Sequence, residues 1–99
     1  MKTVYRVEHA DCSAGFSVEF LGVFENIDKA RAFRDNYVQT YLEEINEYDP
    51  EMVAEFTDHT SGKLIHEETW IMTKEQLAGD EPVTRGDRDY ISLIECELQ

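Results

Sequence analysis

An α+β domain is the fold class this sequence predicts: a four- or five-stranded, mainly antiparallel sheet packed against one long helix. Three observations predict it. Apolar residues alternate at a period of two near both ends of the chain and again in its third quarter. A single stretch from Asn26 to Ile45 switches to three- and four-residue spacing. Finally, 99 residues that are 41% hydrophobic suffice for one core but not for two, so a single domain over residues 1–99 is expected.

Lys2 to His9 carries the β-formers Thr3, Val4, Tyr5 and Val7, and Asp11 to Gly15 reads as a polar turn after it. Phe16, Val18, Phe20 and Phe24 then follow a period of two, with Ser17 and Glu19 between them, which predicts a half-buried second strand with its phenylalanines in the core. Gly22 marks a bulge or a close approach. In the next stretch Ile27, Ala30, Phe33, Tyr37, Val38, Tyr41, Leu42 and Ile45 form one apolar stripe, so the helix presents one side to the sheet. Asn26 is its expected N-cap, Asp28 suits its first turn, and Asp49-Pro50 ends it.

Met52 to Met72 reads as a hairpin turning at Thr60-Ser61-Gly62, with Gly62 left-handed. Pairing His59 with Lys63 sets a register that puts Glu55 opposite Glu67 and His66 opposite Phe56. Thr73 to Gln76 has the spacing of a capping box, with Leu77-Ala78-Gly79 as a short helical body and stop. Asp80 to Arg88, including Arg85-Gly86-Asp87, reads as a loop, and Tyr90 to Leu98 as the closing strand. This order, ββαββ(α)β over most of the chain, resembles that of β-grasp, ubiquitin-like folds. The chain ends in Glu97-Leu98-Gln99 rather than the Gly-Gly of a conjugated modifier, so the resemblance implies a fold and not a modifier's function.

Both faces of this sheet carry apolar residues: Ile94, Cys96 and Leu98 against Ile91 and Leu93, and Leu64, Trp70 and Met72 against Ile65 and Ile71. One helix covers one face. The other falls to loops, a second copy or a partner.

Charge is the strongest compositional signal. Twenty-two Asp and Glu against nine Lys and Arg give a net charge of -13, which argues against direct nucleic-acid binding. No Lys or Arg lies between Asp35 and Gly62, where Asp35, Glu43, Glu44, Glu47, Asp49, Glu51, Glu55 and Asp58 concentrate. Glu43 and Glu47, one i,i+4 step apart, repel each other on the helix face opposite the apolar stripe. Size and charge make the chain similar to two groups of inhibitors: phage proteins that block nucleic-acid-binding defence enzymes, and bacterial immunity proteins that cap basic nuclease toxins. The resemblance implies a partner-binding surface, and the residues expected to form it are Asp35, Glu43, Glu44, Glu47, Tyr48, Asp49, Glu51, Glu55 and Glu67.

Enzymatic and metal readings carry less. His9 and Cys12 have the types of a nucleophilic pair, yet they read as a strand-end imidazole and a loop thiol. His59 and His66 do not face one another in the register above, no EF-hand spacing occurs, and no cofactor or metal is expected. Cys12 and Cys96 show no CxxC pattern and read as free thiols; with no signal-peptide h-region and no apolar run longer than three residues, they suggest a reducing cytoplasm. The sequence thus predicts a non-enzymatic, cytoplasmic, acidic inhibitor of a basic nucleic-acid-handling protein. The alternative is a structural or regulatory homodimer whose acidity serves solubility.

Overall fold

Seven elements follow one another in the order the periodicities predict: β1 (Lys2–Asp11), β2 (Ser17–Phe24), α1 (Ile27–Asn46), β3 (Met52–Asp58), β4 (His66–Thr73), α2 (Lys74–Ala78) and β5 (Tyr90–Leu98). They are seen in a computed structural model that describes residues 2–11, 17–62, 64–78 and 89–98. Phe16, Cys12, the Gly79 stop and the Asp80–Arg88 loop lie outside the described residues. The strands form one sheet in the order β2-β1-β5-β4-β3, every neighbouring pair antiparallel. The first and last strands are therefore antiparallel neighbours at its centre, whereas a β-grasp sheet pairs them in parallel, and the likeness stops at element order.

The long helix connects the two edges of this sheet. It leaves β2 on one side and must deliver the chain to β3 on the other, across four strand spacings of about 4.8 Å each. Twenty residues at about 1.5 Å rise make a helix of roughly 30 Å, long enough to cross the whole face. Asn26 caps it as expected, its Oδ1 accepting from the backbone N–H groups of Asp28 (2.8 Å) and Lys29 (3.1 Å). The inner side of α1 packs Ala30 and Val38 against Val7, Ile71, Ile91 and Leu93, with Tyr5, Phe24, Phe33 and Ile45 around them. On the opposite face Ala10, Trp70, Met72 and Tyr90 make a second cluster, with Val53 against it. The indole and phenol rings stack at 5.6 Å. The capping box is also present: Thr73 Oγ1 accepts from Gln76 N–H and Gln76 Oε1 accepts from Thr73 N–H.

Two expectations about facing residues are corrected. Phe20 is not in the core: the register between β1 and β2 slips between Val7 and Glu8, leaving Leu21 as an extra residue. One extra residue reverses the alternation. Phe24 and Leu21 turn toward α1, while Val18, Phe20 (59% exposed) and Val23 stay on the other side, largely in solvent. Gly22 sits at this slip, where a Cβ would stand 3.2 Å from the Phe24 ring. The second correction concerns the hairpin. Gly62 is left-handed as expected (φ 74°), but Ser61 bridges Leu64, and Asp58 rather than Glu55 lies opposite Glu67; Lys63, the expected partner of His59, lies outside the described residues. Glu55 is paired with Trp70, and Phe56 with Thr69.

At the centre of the helix–sheet interface lies a charged group that the apolar stripe does not announce. Arg34, on the inner side of α1, is buried, and its Nη1 donates to Glu67 Oε1 (2.5 Å), while Arg31 Nη2 donates to Oε2 (2.7 Å). The guanidinium of Arg34 lies 5.5 Å from the Phe56 ring centre. Burial pushes the Glu67 carboxyl up, but the hydrogen bonds and charges of the two arginines outweigh it, so its pKa falls below the usual value. The stabilisation this implies is complete above the unfolded value of about 4.3 and is lost as pH falls through the lower folded value. Glu67→Gln should destabilise the chain by about 3–5 kcal/mol at neutral pH in a urea melt, because it removes the buried negative charge that faces the Arg34 guanidinium. Its loss of stability on acidification should be correspondingly shallower than the wild type's.

Candidate functional site

Six of the residues expected to bind a partner come together at one end of the molecule. Glu43 and Glu44 are exposed in the last turn of α1, Glu47 is its exposed C-cap, and Tyr48, Asp49 and Glu51 lie on the turn into β3. The turn is held in shape. Tyr48 and Asp49 donate their N–H groups to Ile45 O (2.9 and 2.8 Å), and Asn46 Nδ2 bonds the carbonyls of Asp49 and Met52. Asp49 Oδ1 accepts from Glu51 N–H, and Glu51 O accepts from Lys74 N–H. Tyr48 projects from this frame 90% exposed.

Among the described residues no basic side chain pairs with the carboxylates there. The last turn of α1 contains no basic residue, so its carbonyl end, the negative pole of the helix dipole, carries added carboxylates instead of the cations that would offset it. Glu43 accepts from Gln39 Nε2 (3.1 Å). Among the described residues the arginine and lysine ion pairs go elsewhere: Lys2 to Glu25, Arg6 to Glu8, Arg31 to Glu67, and Arg34 to Glu67 and Asp35.

The remaining three expected residues do not join the group. Asp35 is exposed two turns earlier on α1, bound to Arg34 Nε at 3.0 Å. Glu55 is exposed on the face of the sheet turned away from α1, in the row of Val53 and Trp70. Glu67 is buried beneath α1 and neutralised by two arginines, and so is removed from any surface.

Two clusters were not foreseen. The first joins His9, Tyr37, Tyr41 and Asp89: His9 Nδ1 stands 2.7 Å from the Tyr37 hydroxyl, His9 Nε2 3.4 Å from Asp89 Oδ2, and Tyr41 donates to the same carboxylate oxygen at 2.7 Å. With Nε2–H directed at the carboxylate, Nδ1 accepts the Tyr37 O–H. His9 shares the strand parity of Tyr5 and Val7, and Tyr37 and Tyr41 are one i,i+4 step apart, so the halves were legible but not their meeting. Burial raises the pKa of Tyr37, helped by the carboxylates of Glu19, Glu44 and Asp89. Burial and the bond to Asp89 raise that of Tyr41 much further. Both shifts favour the acid form of the phenols, and the cluster fastens the helix to the ends of β1 and β5. Cys12, the other half of the nucleophilic pair considered with His9, lies outside the described residues.

The second cluster is on the hairpin. The corrected register places His59 across from His66, with His59 N–H donating to His66 O (2.8 Å) and the rings 5.7 Å apart. This overturns the pairing of His66 with Phe56. Both imidazoles reach Glu68, the next residue but one on β4.

Compared with known proteins, the chain matches no protein family, no curated protein and no solved structure. No helix among the described residues is long and apolar enough to cross a membrane, and Cys96 is a free thiol.

Because both phenol pKa values are raised by folding, their stabilising effect is complete below the unfolded value of about 10 and is lost as pH rises toward the folded values. Spectrophotometric titration should therefore show two of the five tyrosines ionising late, together with alkaline unfolding. Tyr41→Phe should remove one of those late steps.

Proposed function

We propose that this chain is a non-enzymatic, cytoplasmic interaction protein whose acidic helix end stands in for nucleic-acid charge and blocks a basic surface on a nucleic-acid-handling protein. One observation carries the reading: Glu43, Glu44, Glu47, Asp49 and Glu51 are exposed together on an ordered frame, with no lysine or arginine bound to them among the described residues. Packing the carboxylates against the negative end of a helix costs stability, and a basic partner relieves it on binding. Tyr48 adds an exposed aromatic edge of the kind that anchors interfaces. Glu55 and Glu67 are not part of this surface.

Immobilised chain should capture a basic nucleic-acid-binding protein from a bacterial lysate and release it as salt rises, since the attraction between exposed charges is screened. Changing Glu43 and Glu47 to Lys should abolish the capture. Retention that is insensitive to salt and to the double substitution would remove the charge-mimic reading.

The homodimer reading is favoured by a different observation, the exposure of Val18, Phe20 and Val23 along the outer side of the edge strand β2. If they are buried between two copies, light scattering at high protein concentration should report twice the chain mass for the wild type and the chain mass for Phe20→Lys. A monomer at all concentrations excludes it.

A further inference from the structure

We propose, resting on the charge-mimic reading above, that the basic partner adds an extended segment of its own as a sixth strand along the outer edge of β3, from Ala54 to Asp58. β3 is an end strand with β4 on one side, so half of its backbone groups face away from the ladder. The register decides which half. His59 donates its N–H to His66 O, and Glu51 O accepts from Lys74 N–H, so the odd-numbered residues between them bond to β4 and the even-numbered ones point outward. Met52 marks that outward direction: its N–H donates to Asp49 O (3.4 Å) and its carbonyl accepts from Asn46 Nδ2 (3.1 Å), both outside the sheet. Those two bonds close the start of the edge. The amides and carbonyls of Ala54, Phe56 and Asp58 continue it, and no strand lies beyond them among the described residues.

The two edges of the sheet differ in how they are guarded. β2, at the opposite edge, carries the Leu21 bulge, which interrupts regular pairing. β3 runs seven residues against β4 without a slip, and it contains no Lys and no Pro. It carries acid instead. Glu55 is exposed on the face away from α1, Phe56 is 52% exposed on the helix side, and Asp58 is exposed after it. A second copy of β3 would set these carboxylates against like charge. A strand with Lys or Arg opposite Glu55 and an apolar residue against the Phe56 ring satisfies both faces. Glu47, Asp49 and Glu51, at the start of the strand, extend the attraction to basic residues that flank the added segment. In strand addition the main-chain bonds supply affinity and the alternate side chains supply selectivity, so the segment that fits is one in which basic and apolar residues alternate.

The test uses the full chain and a synthetic peptide of about six residues that alternates lysine and valine, titrated to millimolar concentration and followed by NMR. Binding should slow hydrogen exchange at the amides of Ala54, Phe56 and Asp58 and leave those of Val53, Glu55 and Thr57, already in the ladder, unchanged. Methylating alternate backbone nitrogens of the peptide should weaken binding about tenfold in one of the two alternating patterns and not in the other, a loss that involves no change in the protein. Glu55→Lys should weaken it about threefold, and a peptide with glutamate in place of lysine should not bind. Binding that is indifferent to both methylation patterns, or that leaves the three amides unprotected, overturns strand addition while the charge-mimic reading stands. Equal binding of the glutamate peptide overturns both. Protection of the same amides on raising the protein concentration alone assigns the edge to a second copy and overturns the proposal. Absence of any peptide binding does so too, and salt-sensitive capture from the lysate then remains the separate measure of the charge reading.

Discussion

Glu67, near the start of β4, has been taken out of water beneath α1, and two arginines one helical turn apart, Arg31 and Arg34, reach down from the helix to hold it. Removing the Glu67 and Arg34 charges from water is costly, and apolar residues of the same volume would often give equal or greater stability. What an apolar patch does not give is a position. A bidentate guanidinium–carboxylate contact is satisfied only when α1 lies at one angle and one height over β4, and the helix has to cross from β2 to β3. The charged group and the His9–Tyr37–Tyr41–Asp89 network thus act as two pins, one in the N-terminal half of the helix and one in the C-terminal half. Between them they determine where the last turns of α1, and the carboxylates on them, point.

That arrangement explains why acidic residues near one another in sequence part company in space. Glu43, Glu44, Glu47, Asp49 and Glu51 extend past the second pin and share one end of the molecule. Glu55 continues onto β3 and, by the alternation of the strand, turns to the face away from α1. Glu67 pairs inward. A run of charge in the sequence is thereby divided into a surface, an outlier and a structural element.

The fold class, the helix with its Asn26 cap, the Thr73–Gln76 capping box and the left-handed Gly62 were legible because each is set by chemistry within a few residues. The corrected features depend on parity. Moving the hairpin register from Glu55↔Glu67 to Asp58↔Glu67 shifts β3 by three residues, an odd number, and so exchanges the faces of all its side chains relative to β4. The Leu21 bulge does the same to half of β2. Neither has a local signature as strong as a cap: Ser61 to Leu64 accommodates more than one turn length, and Gly22 indicates a bulge without saying which neighbour is extra. The candidate surface was largely legible because the helix period and the break at Pro50 locate its carboxylates. Arg34 was not, since a charged residue in an apolar stripe reads as exposed until a buried partner from 33 positions away is found.

The central place of β5 bears on how the chain assembles. It lies between β1 and β4, so until it has docked, the sheet exists only as two separate hairpins, β1–β2 and β3–β4, tethered by α1. Its pairing with β1 joins residues such as Val4 and Cys96 that are 92 positions apart, a loop closure whose entropy must be spent before the contact returns anything. During synthesis the inner edges of both hairpins therefore stay open until the strand made after both of them emerges. The net charge of -13 then has a use that requires no partner: nascent chains waiting with unpaired edges repel one another rather than pairing edge to edge.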